Sequence, residues 1–241
     1  ASAHHPDNPA SSDQYTPPIT GLTQDWADQG FEFAVGLTTI YQQNVHGGAS
    51  THNRAGRMTG SYDLELGIDL QRMLGFEGAS VYLHGEGPWP RSDEDASSIG
   101  SYFGANGDAG GRRALDLVEV YFEQNFFEET LTLRIGKFDI TGGFECRGCP
   151  VSFDGSAFAN DESAQFLNGA LVNNQTIPFP DYGLGVVLHW NPLEDWYASV
   201  GVMDAEADGR ETGFRTTFGG GDDAFFTIFE TGITPRLEST K

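Results

Sequence analysis

The alternation of apolar and polar positions is clearest at residues 61–71, SYDLELGIDLQ. Tyr62, Leu64, Leu66, Ile68 and Leu70 take every second place, against Asp63, Glu65, Gly67, Asp69 and Gln71. Strict period two describes a β-strand with one apolar and one polar face. Similar stretches predict eight strands, over roughly 31–43, 60–71, 77–86, 115–125, 130–139, 182–191, 196–204 and 225–233. A short helix is expected ahead of them, with Thr23 as its cap, Asp25 in its first turn and Gly30 as its stop. The chain thus divides into a flexible tail over 1–19, a short helix over 20–30, and strands with their loops over 31–241.

The connections carry a second pattern. RMLGFEG, FFEE and NPLED make tight turns after the second, fourth and sixth strands, whereas 44–59, 87–114, 140–181 and 205–224 are long. In an up-and-down meander, this strict succession gathers all tight turns at one end and all long loops at the other. Outer-membrane barrels have that asymmetry. Trp190, Trp196, Tyr197, Phe126 and Phe127 flank the tight turns, where an interfacial aromatic girdle would lie.

The apolar faces are accordingly expected to meet lipid. They comprise Leu64, Leu66 and Ile68; Val81 and Leu83; Val118, Val120 and Phe122; Leu131, Leu133 and Ile135; and Leu184, Val186 and Leu188. The opposite faces carry Asp63, Glu65, Asp69, Tyr82, His84, Glu86, Glu119, Tyr121, Glu123 and Arg134. In a dry core each unpaired charge among them would cost several kcal/mol; a water-filled lumen removes that cost. The fold class that follows is all-β, a transmembrane antiparallel up-and-down β-barrel of the outer-membrane type.

Composition narrows the chemistry. Thirty-five acidic against 13 basic residues give a net charge of −22, which disfavours nucleic acid as a partner. No apolar run approaches the ~18 residues of a membrane helix. The first residues, ASAHHPDNPASSDQYTPP, read like those that follow a signal-peptidase cut. Cys146 and Cys149, in ECRGCP, read as a structural loop disulfide, with free thiols as one alternative and redox or metal chemistry as another. Asp204, Glu206, Asp208 and Gly209 begin like a calcium loop, but the twelfth position is Arg215, which excludes a complete EF-hand. A looser calcium site, or cation bridging to lipopolysaccharide, is the one cofactor reading that remains. No nucleophile elbow, zinc-protease helix or phosphate loop is present, so the chain does not read as an enzyme.

Residues 117–140, LVEVYFEQNFFEETLTLRIGKFDI, resemble the carbohydrate-selective porin family, the OprB type. The resemblance rests on Glu119, Tyr121, Phe122, Glu123 and Gln124, then Leu131, Leu133, Arg134, Gly136 and Asp139. It extends through GLTQDWADQGFEF, GSYDLELGIDLQRMLGFEGASVYLHGEG and PFPDYGLGVVLHWNPLEDWYASVGVMDAEADG, most of residues 20–210. It implies a sixteen-stranded barrel with inward-folded loops and passive diffusion of sugars, glucose especially. The eight strands read here are then expected to be the N-terminal half of a longer chain, the alternative being a small eight-stranded barrel. The CRGC loop departs from the family pattern.

A sugar has hydroxyls and flat apolar faces, so a selective pore needs polar side chains for the one and rings for the other. Arg134, Lys137 and Asp139, opposite Glu119 and Glu123, are expected to line it together with Asp63, Glu65, Asp69, His84 and Glu86. Tyr82, Tyr121 and Trp89 are candidate stacking surfaces. Expected partners are sugars, outer-membrane lipid and lipopolysaccharide, and a homotrimer or envelope complex. The expected location is the outer membrane of a Gram-negative-type bacterium. Two other classes compete: an envelope-scaffold barrel with a plugged lumen, and a secreted glycan-binding β-sandwich.

Overall fold

Alternating side chains along each strand sort the chain into a two-faced sheet. The computed structural model describes residues 25–52, 56–89, 114–140, 180, 182–193, 195–219 and 224–233. Eight antiparallel strands form one sheet in the order of the sequence. They are β1 (Phe31–Gln43), β2 (Gly56–Asp69), β3 (Ala79–Trp89), β4 (Asp116–Phe126), β5 (Leu131–Phe138), β6 (Gly183–Leu193), β7 (Trp196–Asp204) and β8 (Phe225–Ile233). Among the described residues each strand pairs only with its neighbours in sequence, so β1 and β8 are the two edges and no pairing closes the sheet. Among the described residues no helix is long and apolar enough to cross a membrane.

Register fixes the faces. Leu66 lies between Phe33 and Leu83, and Ile68 between Phe31 and Val81. Phe122 lies between Val81 and Ile135, and Val186 between Ile135 and Val202. The apolar face is laid bare: Val35 is 62% exposed, Leu37 72% and Phe229 68%. An apolar surface of this breadth on a folded sheet is a contact surface. Its rim at the tight-turn end carries rings. Trp190 and Trp196 meet edge-on with centroids 5.3 Å apart, and Phe126 and Phe127 lie 6.3 Å apart.

Three expectations are corrected. The second strand ends at Asp69 rather than residue 71, because Leu70–Leu74 form a short helix. Asp69 caps it by accepting from the backbone N–H groups of Gln71 and Arg72, and Gly75 ends it with φ 79. Val118, expected against lipid, is only 3% exposed. A bulge shifts the β3–β4 register between His84 and Gly85, so that His84 faces Glu119 while Gly85 faces Leu117. Val118 is the extra residue, and Leu117, 52% exposed, takes the outward place. Third, the face opposite lipid is not polar throughout. Phe138, Ile140, Val187 and Met203 form a buried cluster, with Tyr121, Phe226 and Ile228 against it. Val187 pairs with Arg134, and Met203 with Gly185 and Phe226, which puts the cluster on the face of Arg134.

One segment crosses to the other side. Residues 205–219 leave β7 and lie against the apolar face at the long-loop end. A Cβ on Gly213 would come 2.8 Å from Leu184 Cγ, Thr217 Oγ1 donates to Asp204 Oδ2 at 2.9 Å, and Lys137 Nζ donates to the Gly209 carbonyl and, at 2.9 Å, to that of Leu117.

Candidate functional site

The charged face is assembled by register from β2 to β5. Glu65 faces His84, Asp63 faces Glu86, Tyr82 faces Tyr121, His84 faces Glu119, and Glu123 faces Arg134. Acids and rings therefore meet across neighbouring strands.

These groups are bonded to one another. Tyr82 Oη donates to Glu65 Oε2 at 2.8 Å. The His84 ring stands between two carboxylates, Nε2 3.3 Å from Asp63 Oδ1 and Nδ1 3.5 Å from Glu119 Oε2. Arg134 donates from Nε and Nη2 to the same oxygen, Glu123 Oε2, at 3.1 and 2.9 Å. Its guanidinium carbon lies 4.2 Å above the centre of the Tyr121 ring, within cation–π range. Tyr121 in turn packs beside Tyr82 at 5.1 Å and edge-on to Phe138 at 6.0 Å. Both ends of the Arg134–Glu123 pair are mostly shielded, with side chains 14% and 12% exposed. Charge-assisted bonds in such a setting are strong and hold the ring beneath them in one pose.

This band offers hydroxyl-binding carboxylates on one flank and stacked rings beneath a fixed cation on the other. That combination suits a neutral polyol, whose hydroxyls can join the hydrogen-bond network while its C–H faces lie on rings. Nothing in it resembles a nucleophile with its base.

The structure brings nine of the expected residues onto this face: Asp63, Glu65, Tyr82, His84, Glu86, Glu119, Tyr121, Glu123 and Arg134. The rest are otherwise engaged. Asp69 shares the parity of Asp63 and Glu65 but serves as the helix cap and pairs with Arg72 at 3.2 Å. Lys137 stands three residues from Arg134, pairs with Val120 and Leu184, and so belongs to the opposite face. There its 6%-exposed side chain anchors the outer segment. Asp139 lies beyond β5, its N–H donating to Glu119 Oε1 at 3.2 Å. Trp89 pairs with Gly60 and donates to the Thr38 carbonyl at 3.2 Å, which puts it on the apolar face, opposite that of Asp63.

Asp204, Glu206 and Asp208 form no common cradle. Asp204 is 1% exposed and accepts from the Glu206 N–H and Thr217 Oγ1, while Asp208 accepts from the Arg210 N–H. Cys146 and Cys149 lie outside the described residues. Sequence reasoning passed over Phe138, which supports Tyr121, and over His189, which is 1% exposed and bonded through Nδ1 to Ser199 Oγ at 2.7 Å. The signal was available for both, since each holds a register place on the face of Arg134.

Comparison with known proteins agrees with this arrangement. A family model described as "Carbohydrate-selective porin, OprB family" matches residues 53–240. Porin B of Pseudomonas aeruginosa is 21% identical, over 84% of this chain and 45% of that protein. An uncharacterized protein of Aquifex aeolicus is 32% identical over 77 residues, 32% of this chain and 25% of that one. The high-pH structure of Pseudomonas putida OprB superposes with a TM-score of 0.70 at 18% identity, over 90% of this chain and 51% of that one. The chain spans about half the length of Porin B and of the OprB structure.

Proposed function

The chain belongs to the OprB family of carbohydrate-selective porins, and from that premise we propose that it forms one half of the wall of an outer-membrane pore for passive sugar diffusion. The observation that carries the reading is the two-sidedness of the sheet. Its bare apolar face needs a hydrocarbon solvent, and the face bearing Asp63, Glu65, Tyr121 and Arg134 needs water. Both needs are met at once where lipid lies on one side and an aqueous passage on the other. Among the described residues the edges at β1 and β8 have no neighbouring strand, and in lipid the backbone groups there must find partners.

Sugars are the substrate class this band fits, with glucose-like pyranoses as the first candidates. They would be held by hydroxyl bonds to the carboxylates and by stacking over Tyr82 and Tyr121, weakly enough to leave. Lipopolysaccharide and a homotrimeric or envelope assembly are the further partners proposed. The test is swelling of liposomes containing the native chain. Swelling with monosaccharides that exceeds swelling with amino acids of similar size is the expected result. Vesicles that stay impermeable to sugars would overturn the reading in favour of a plugged scaffold barrel.

A further inference from the structure

Two charged side chains stand on the apolar side of the sheet. Lys137 shares the face of Val120 and Leu184, and Asp204 that of Val202 and Phe225. Both are nonetheless buried, because residues 205–219 lie over them. Lys137 Nζ donates to the Gly209 carbonyl, while Asp204 accepts from the Glu206 N–H at 2.9 Å and from Thr217 Oγ1 at 2.9 Å. Their depth decides what surrounds that segment. Trp190 lies opposite Leu131 and marks the aromatic rim. Lys137 is six residues farther along β5. That is about 20 Å along the strand and, at a tilt of roughly 40°, about 15 Å above the rim. Asp204 is eight residues beyond Trp196 on β7, which by the same geometry is about 20 Å above it. The apolar band of an outer-membrane barrel is about 25 Å tall, so both anchors sit within it, together with the segment they hold.

The outer surface of this segment does not suit hydrocarbon. Residues 205–213 form neither strand nor helix, and one helical turn, Phe214–Phe218, follows. Gly213 and Thr217 are turned to the wall. Away from it stand Phe214, 64% exposed, and Phe218, 71% exposed, their rings 6.4 Å apart. Arg215 lies between them in sequence with 85% of its side chain exposed, 4.0 Å from Glu211. Glu206, Asp208 and Arg210 are exposed as well. Irregular backbone and charged side chains are tolerated at membrane depth where protein or water covers them. The passage supplies no water to the outside of the wall, which leaves protein. Exposed rings beside arginines are also the composition of a protein interface.

We propose that residues 205–219 are the contact through which a second copy of this chain packs beside the first in the membrane, with Phe214 and Phe218 as its apolar centre and Arg215 at its edge. A second copy fits because all copies enter lipid with their long loops on the same side. The bare apolar face of one therefore meets the two rings of the next at equal depth. The contact rests on the outer-membrane reading above and gives the side-by-side assembly a defined surface; passage of sugar does not depend on it.

The native chain carrying the photoreactive p-benzoylphenylalanine in place of Phe214 is inserted into vesicles of phosphatidylethanolamine and phosphatidylglycerol and irradiated. An adduct of two chains is expected. Adducts with lipid alone overturn the interface and assign the rings to the bilayer; absence of any adduct overturns it too. Light scattering in mild detergent gives a second reading, with a mass above that of one chain expected. Phe214→Ala combined with Phe218→Ala, and separately Arg215→Glu, should each weaken association about tenfold or more. All three side chains are exposed, so the sheet signal in circular dichroism should stay the same. An unchanged mass distribution in both variants overturns the proposal. Sugar swelling of the same vesicles reads the pore separately. Swelling with lipid adducts alone means that only the interface is wrong, and two-chain adducts without swelling mean that only the pore reading is wrong.

Discussion

Arg134 concentrates several physical effects in one side chain. It makes two donated bonds to Glu123 Oε2, and its guanidinium covers the Tyr121 ring at 4.2 Å. Removing one partner of a shielded pair leaves the other charged and unsatisfied, which costs about 3–5 kcal/mol. Arg134→Ala should therefore lower the free energy of chemical unfolding in detergent by that amount and blunt the discrimination among sugars. Arg134→Lys should recover only part of both, since an ammonium cannot span two bonds and cover a ring together. A few residues away, Gly136 has φ 145, and a Cβ there would lie 2.4 Å from the Val120 carbonyl oxygen. Gly136→Ala should reduce the yield of folded protein on refolding, read by the shift in gel mobility between heated and unheated samples. Parity decided most residue roles from the sequence. It also shows where the expectation for Lys137 went astray, because positions 134 and 137 on one strand cannot share a face.

At the level of elements, strand positions were legible because each strand repeats a period-two code between turn residues. Their ends were less so. The second strand stops two residues early because the Asp69 carboxylate captures two backbone N–H groups and starts a helical turn, a local competition that period two does not register. The bulge at Val118 was likewise hidden, since an extra residue is defined only against the partner strand. Segment 205–219 is the element that tertiary contact alone explains. Lys137 Nζ is held by the carbonyls of Leu117 and Gly209, and Thr217 by Asp204. Lys137→Met should leave those carbonyls without their donor, loosening the segment by about 1–3 kcal/mol. Limited proteolysis would then cut between residues 205 and 219 roughly tenfold faster or more, while the sheet signal in circular dichroism stays the same.

For the whole molecule, the governing property is sidedness. Leu66 and Gly67 are adjacent yet face opposite solvents, Leu66 among Phe33 and Leu83, Gly67 beside Glu32 and Tyr82. Leu66→Arg should disfavour insertion into lipid by about 2–4 kcal/mol, measured by folding into vesicles. Gly67→Arg should insert normally, since a Cβ there meets nothing closer than 3.6 Å, and should alter ion and sugar selectivity instead. Equal behaviour of the two variants would contradict the assignment of faces. The −22 charge belongs to this scale too. A neutral solute does not feel that charge, so under the proposed pore function discrimination among sugars would come from contact at the band around Tyr121.

The order of strands, the sorting of short and long connections, and the identity of each face follow from the residues taken in sequence, because strand parity and turn chemistry are local. Pairings such as Arg134 with Glu123 were readable for the same reason, lying on a single hairpin. Three things required the folded chain: the bulge that turns Val118 away from lipid, the apolar cluster joining Phe138, Val187 and Met203, and the reach of residues 205–219 onto Lys137. Each depends on contacts between strands or segments whose separation in sequence is set by long loops, and a one-dimensional pattern holds no record of which distant groups come to share a space.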